Sequence, residues 1–147
     1  MQKYDTASQI QRFTDICRRH GLKITPQRVA IYRELMQSRQ HPTADAMFRK
    51  IKVDFPNISF DTVNRTLLTF AEIGVVDMVE VFGGAKRFDP DVSGHHHLHC
   101  TACGKIVDVA YDQYADLQIP ESIARQFTVT GWRVVLRGIC RTCSPNR

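Results

Sequence analysis

One stretch decides the fold of this chain: residues 59–88 have the sequence SFDTVNRTLLTFAEIGVVDMVEVFGGAKRF. Its first part predicts a helix, because Ser59 is a good N-cap, apolar side chains recur at helical spacing and Gly74 suits the C-terminal turn. Its second part predicts a β-hairpin, because two extended runs, 75–82 and 85–88, flank a Gly-Gly pair. The side chains expected inside are Phe60, Val63, Leu67 and Phe70.

Three further helices are predicted before this stretch. The first ends near Gly21, and the second spans about 26–38 after the N-cap Thr25. The third begins at Thr43 and is broken at Pro56. Helices followed by a hairpin describe a winged helix, in which the fourth helix enters the DNA major groove and the hairpin is the wing.

The fourth helix also has a polar outward face. At about 100° per residue its apolar side centres on Val63 and Leu67, so Thr62, Arg65 and Thr69 point the opposite way. The Arg65 guanidinium would suit a guanine edge or a phosphate. A merely solvated face would have the same composition, so this alternative stays open.

The second half of the chain differs in composition. Residues 90–94 resemble a linker, and four histidines and two cysteine pairs follow. A strand is expected over 106–111, a short helix over 119–126 and a long Val-rich strand over 127–139. The fold class is therefore α+β, with an N-terminal winged-helix DNA-binding domain over residues 1–89 and a small C-terminal α/β domain over 90–147.

The charge is concentrated in the first half. The chain has 147 residues and a formal net charge of +5, and residues 1–74 alone carry 12 Lys or Arg against 7 Asp or Glu. A basic half beside a neutral one favours nucleic-acid binding, although an ordinary solvated surface is the alternative. No run of 18 apolar residues predicts a membrane span, and residues 1–5 have no apolar signal segment. We therefore expect a cytoplasmic protein, in which clustered cysteines bind metal rather than form disulfides.

The cysteines form two CxxC pairs, and this pattern predicts a zinc site. Two residues between thiolates let one tight turn present both sulfurs to one ion, and two such turns complete a closed tetrahedral site. A closed site has no open position for chemistry, so the expected role of the Zn(II) is structural. The remaining cysteine, Cys17, lies on the apolar face of the first predicted helix and is expected in the hydrophobic core. The predicted ligands are Cys100, Cys103, Cys140 and Cys143.

A second set of donors contains histidine and carboxylate. If residues 95–100 are extended, His95 and His97 share one face with His99, while His96 and Cys100 share the other. Nitrogen and carboxylate donors suit Fe(II), Mn(II) or Zn(II). The pattern alone leaves open whether the scattered residues converge, and whether His96 or His99 bind metal. The other candidate ligands are Asp108 on the next strand, Asp89 at the end of the wing and His41 before the third helix.

Taken together, these motifs resemble the Fur family of metal-responsive repressors. The resemblance extends from Gly21 to Cys143. Besides the two CxxC pairs, it rests on GLKITPQR (21–28), HPTAD (41–45), DTVNRTL (61–67), RFD (87–89) and HHH (95–97).

The resemblance implies a homodimer that binds double-stranded DNA at a palindromic operator, with the C-terminal domain as the dimerisation domain. It implies structural Zn(II) on the four paired cysteines and regulatory Fe(II) or Mn(II) bound by residues of both domains. The implied regulatory ligands are His41, Asp89, His95, His97 and Asp108. The implied DNA contacts are Lys23, Arg28, Thr62, Asn64 and Arg65.

Within the family, the chain most resembles the peroxide-sensing PerR branch. Iron-uptake regulators usually have Glu where Asp108 stands, and many members have His where Gly131-Trp132 stands. The branch implies that His41 or His95 is oxidised by peroxide. An iron-uptake or zinc-uptake regulator of the same family is the alternative. A His/Asp metalloenzyme is the alternative from another class, but the sequence has no HExxH motif.

Overall fold

The computed structural model describes residues 6–38, 40–81 and 83–144. It combines helices and sheets, and the chain divides into two compact units, with the division between Val92 and Ser93. The domain boundary after residue 89 stays a prediction. Within the described residues, no helix is both long and apolar enough to cross a membrane.

The first unit is a winged helix. The caps Thr25, Thr43 and Ser59 each accept a backbone N–H with the side-chain oxygen, which fixes where three of its helices begin. The helices are α1 Thr6–Arg19, α2 Pro26–Gln37, α3 Ala44–Asp54 and α4 Phe60–Glu72. Strand β1, Asp77–Val79, pairs antiparallel with β2, Arg87–Asp89.

The wing is shorter than the sequence suggested. The expected run 75–82 contains only the three-residue strand β1, and β2 begins two residues into the run 85–88 and ends one residue beyond it, at Asp89. Val75 and Val76 are buried and do not join the strand. Their backbone N–H groups instead donate to the carbonyl oxygen of Phe70 in α4. Phe82, at the end of the first expected run, lies outside the described residues.

An aromatic cluster holds α1, α2 and α4 together. The rings of Phe13 and Tyr32 stack with centroids 4.5 Å apart, and the edge of Phe70 meets Phe13 at 5.3 Å. All three side chains are buried, as are Val63 and Leu67. The expectation for Phe60 was wrong, since this residue is 45% exposed. As the first residue of α4, it instead meets Phe48 edge to face at the surface.

The second unit is a three-stranded sheet. Strand β3, His95–Cys100, lies in the centre and pairs antiparallel with β4, Ile106–Ala110, and parallel with β5, Val135–Gly138. Outside the sheet, a 3₁₀ turn spans Tyr111–Tyr114, and α5 is one turn over Glu121–Ala124.

The expected long strand over 127–139 was wrong. Only Val135–Gly138 find a partner, along β3, while residues 127–134 form no strand and Phe127 is 63% exposed. A Val-rich segment forms a strand only where another strand accepts its backbone hydrogen bonds. The short helix is likewise limited to Glu121–Ala124 rather than the whole of 119–126.

Truncating the aromatic cluster should destabilise the first unit. We expect Phe70→Ala to lower the free energy of unfolding by about 3–5 kcal/mol, because it opens a cavity among buried rings. Urea unfolding followed by the helical circular dichroism signal measures this loss. Phe127→Ala, which removes an exposed ring, is the control and should change the midpoint little. An unchanged midpoint for Phe70→Ala would contradict the assigned role of the cluster.

Candidate metal and nucleic-acid sites

The four paired cysteines come together at one end of the sheet in the second unit. Cys100 ends β3, and the turn after it places Cys103; Cys140 and Cys143 occupy a similar turn after β5. All four sulfurs lie within 4.8 Å of one another. Gly104, with φ of +73°, donates its N–H to the carbonyl oxygen of Cys100 and closes the first turn.

The spacing of these sulfurs suits zinc. The Sγ atoms of Cys103 and Cys140 are 3.8 Å apart. Two sulfurs about 2.3 Å from a tetrahedral ion would lie about 3.8 Å from each other. Four thiolates at this spacing therefore fit a closed structural Zn(II) site.

The thiols of the cluster differ in pKa. The N–H of Cys140 donates to the sulfur of Cys100, 3.3 Å away, and lowers the pKa of Cys100 to about 6. The neighbouring thiol of Cys140 raises the pKa of Cys143 to about 12. At neutral pH the metal-free cluster therefore keeps a proton on Cys143. Metal binding to the cluster therefore has to displace this proton.

A buried His–Asp pair lies in the first unit. The Nε2 atom of His41 is 3.0 Å from Oδ2 of Asp89, and both side chains are at least 95% buried. The other carboxylate oxygen of Asp89 accepts the N–H of Asp91 at 2.8 Å, which orients the carboxylate. Two donors 3.0 Å apart are spaced like neighbouring ligands about 2.1 Å from one ion. The pair therefore presents two ligand atoms ready for a metal.

The backbone of His41 has an uncommon conformation. Its φ of +47° lies in the left-handed region, where non-glycine residues are rare and cost about 1–3 kcal/mol. Strain of this kind persists only where the surrounding contacts hold the residue in place. Those contacts come from the segment around β2.

The second unit brings three further donors together. His95 and His97 lie on one face of β3, and Asp108 is the partner of His97 across β4. The Nε2 atoms of His95 and His97 are 3.5 and 3.8 Å from Oδ1 of Asp108. The Nδ1 of His95 lies 2.8 Å from the carbonyl oxygen of Ser93, to which it donates. This hydrogen bond leaves the lone pair on Nε2, the tautomer that a ligand histidine needs.

His96 and His99 have different surroundings. His96 points to the opposite face, where it is fully buried and its Nδ1 accepts the N–H of Val134 at 3.1 Å. Its ring edge also packs on Tyr114. Among the described residues, neither His96 nor His99 belongs to a cluster of three or more metal-donor groups.

The candidate DNA contacts lie on two elements of the winged helix. On α4, Thr62 and Arg65 are exposed and Asn64 is half-buried. Before α2, Lys23 is exposed, and the guanidinium of Arg28 donates to its carbonyl oxygen. Sequence reasoning missed one partner: Asp61 accepts from Nε of Arg65 at 2.9 Å, an i,i+4 pair that the spacing alone predicts.

Comparisons with known proteins show which family has this fold. The model of the ferric uptake regulator family matches residues 19–137. The peroxide-responsive repressor PerR of Staphylococcus aureus is 40% identical over 126 residues, which is 86% of this chain and 85% of the relative. The peroxide stress regulator of Campylobacter jejuni superposes with a TM-score of 0.65 at 28% identity, over 88% of this chain and 98% of its own. The ferric uptake regulator Fur of Helicobacter pylori, at 21% identity, shares the fold, with a TM-score of 0.75 over 98% of this chain and 97% of its own.

Fold and donor sets define a class of proteins with an N-terminal winged helix and a C-terminal dimerisation domain. This chain belongs to the ferric uptake regulator family, whose model covers most of it. Members of the family are transcriptional regulators rather than enzymes, and they bind DNA and act as dimers.

Zinc retention by the thiolate cluster should depend on pH and on every cysteine in it. Because Cys143 must lose a proton to bind metal, we expect zinc affinity to fall as the pH falls from 8 to 6. Cys143→Ser should lose zinc to a chelator that leaves the wild type loaded. Cys17→Ala, outside the cluster, is the control, and elemental analysis is the measurement. Purified wild-type protein that lacks zinc and has its cysteines in disulfides would contradict the assignment.

Proposed function

We propose that this protein is a metal-dependent transcriptional repressor that senses peroxide. The observation that carries the proposal is that each unit has its own His–carboxylate group with buried histidines: His41 with Asp89 in the first, and His95 and His97 with the half-exposed Asp108 in the second. The 40% identity to a peroxide-responsive repressor supports the same function. Zn(II) on the four cysteines is the structural metal in this proposal. The thiolates have to stay reduced, which is consistent with a cytoplasmic protein.

The two donor groups complement each other. The first supplies one imidazole and one carboxylate, and the second supplies two imidazoles and one carboxylate. Neither group alone fills the coordination sphere of a divalent transition metal. Combined, they give three nitrogen and two carboxylate ligands, a mixed set that suits Fe(II) and Mn(II). We propose that one regulatory ion binds all five.

Shared ligands would make the metal a switch. An ion bound by both units favours the arrangement in which all five ligands reach it. If that arrangement also places the two α4 helices of a dimer on two half-sites of a palindromic operator, metal and DNA favour the same state. Metal would then raise DNA affinity, and DNA would raise metal affinity by the same factor.

The peroxide response would depend on the ligand histidines. Bound Fe(II) would activate peroxide, so that one oxygen atom of hydrogen peroxide is added to a ligand ring, which is oxidised by two electrons, and the other oxygen leaves as water. His41 or His95 is the expected target, as the resemblance to the peroxide-sensing branch implies. Addition of one oxygen atom to such a ring weakens it as a ligand, so metal is lost and repression ends. Mn(II) does not react in this way and would maintain repression.

Contacts with DNA would come from α4 and from the segment before α2. Arg65 and Thr62 are exposed on α4, with Asn64 beside them, and are proposed to face the major groove. Lys23 and Arg28 would contact the minor groove and a phosphate. In the free protein Asp61 accepts from Nε of Arg65, and this exposed ion pair would be kept or exchanged when the guanidinium contacts DNA.

Peroxide should distinguish the two metal forms. We expect Fe(II)-loaded protein to lose operator affinity at low peroxide and to gain 16 Da on His41 or His95, whereas Mn(II)-loaded protein does neither. Gel-shift assays and peptide mass spectrometry measure the two effects. Asp108→Glu, which lengthens the carboxylate arm, should keep metal-dependent binding and blunt the peroxide response. Equal resistance of both forms, without histidine oxidation, would indicate an iron-uptake regulator with the same ligands.

Arginine and lysine should contribute differently to DNA binding. Arg65→Ala should weaken specific binding by about 1–3 kcal/mol if the guanidinium contacts a base edge. Lys23→Ala should weaken binding and reduce the salt slope by about one if the Lys23 ammonium neutralises a phosphate. Fluorescence anisotropy over a range of salt concentrations measures both. Full operator affinity in Arg65→Ala would show that the recognition face is assigned wrongly.

A further inference from the structure

Arg87, the first residue of β2, contacts the segment that carries His41. Its Nη1 donates to the carbonyl oxygen of His41 at 3.3 Å and lies 3.5 Å from that of Gln40. The main chain adds a second connection, because the N–H of Phe88 donates to the carbonyl oxygen of Pro42 at 3.0 Å. Segment 40–43 is therefore fastened to the wing strand by a side chain and by the backbone.

This attachment supports His41, a residue whose backbone conformation is unfavourable without contacts that hold it. His41 is in the left-handed region, and a proline follows it, which restricts the same residue further. A hydrogen bond to the carbonyl of His41 fixes the orientation of the peptide group on the C-terminal side of that residue. The direction of the imidazole depends on that backbone orientation.

The imidazole of His41 points at the same strand. Its Nε2 lies 3.0 Å from Asp89, two residues beyond Arg87. Residues two apart in a strand project to the same side. β2 therefore contacts His41 twice, at the carbonyl oxygen through Arg87 and at the ring through Asp89.

We propose that Arg87 is a positioning residue for the regulatory metal. By holding the carbonyl of His41, it keeps the imidazole beside the Asp89 carboxylate, so that two ligands are preorganised before the ion arrives. Strand β2 then supplies one ligand directly and orients the other. This inference rests on the proposed function, since it assumes that His41 and Asp89 bind the regulatory ion.

The test is Mn(II) affinity of the full-length, zinc-loaded protein, measured by competition with a metal-binding indicator. We expect Arg87→Gln to weaken Mn(II) binding by roughly 10–100-fold, the range for loss of a residue that orients a ligand. Arg87→Lys, which keeps a donor and the charge, should restore part of the affinity. Lys86→Gln removes an exposed charge from the neighbouring position and should bind Mn(II) like the wild type.

A double-mutant cycle separates positioning from general support of the wing. His41→Ala should weaken Mn(II) binding, and adding Arg87→Gln to it should cause no further loss, because Arg87 acts through His41. A loss of equal size in both backgrounds, or no loss from Arg87→Gln in the wild type, would overturn the inference while leaving the ligand set intact. Unchanged affinity in His41→Ala would instead show that the proposed ligand set is wrong, and the inference with it.

Discussion

The alternation of side chains along β3 is the constraint on which the second unit depends. Three of its six residues, His95, His97 and Cys100, contribute to two different metal-donor groups, because a strand sends successive side chains to opposite faces. His95 and His97 meet Asp108 on one face, while His96 packs into the interior on the other, and the strand ends at Cys100 among the sulfurs. A slip of one residue in register would exchange these faces and disrupt both groups at once. His96 helps to fix the register, since its ring accepts the N–H of Val134 while the N–H of His97 donates to the carbonyl of the same residue.

In the first unit the main constraint is the packing that holds helix α4 in place. Three buried rings connect α1, α2 and α4, so the exposed side of α4 is fixed by the packing of its other side. The contact of the Arg12 side chain with the Gly74 carbonyl, at 3.4 Å, joins α1 to the end of the same helix. The metal-donor pair of this unit joins the connection between α2 and α3, which contains His41, to strand β2, which contains Asp89. Its geometry therefore depends on short backbone contacts around β2.

Much of this could be predicted from the sequence where the signal is local. Thr25, Thr43 and Ser59 are capping residues at helix starts, and the two CxxC pairs need only short turns to present their sulfurs. Residues 127–134 were mistaken for a strand because composition indicates β propensity but not whether a partner strand is present. The contacts of Arg87 with the carbonyls near His41 join residues 46 and 47 positions apart, and no periodicity encodes such a pair. The left-handed backbone at His41 was equally hidden, because a histidine before a proline normally adopts an extended conformation.

The parallel pairing of β3 with β5 has a consequence for the life of the protein in the cell. Parallel neighbours require the chain to return to the starting end, and here residues 111–134 do so with little regular structure of their own. Ordering such a long connection costs conformational entropy that a small sheet offsets poorly. An ion bound across both cysteine turns would offset that cost only while it is present. The amount of intact repressor would then follow the zinc supply, because molecules made without zinc would open more often and be removed by proteases.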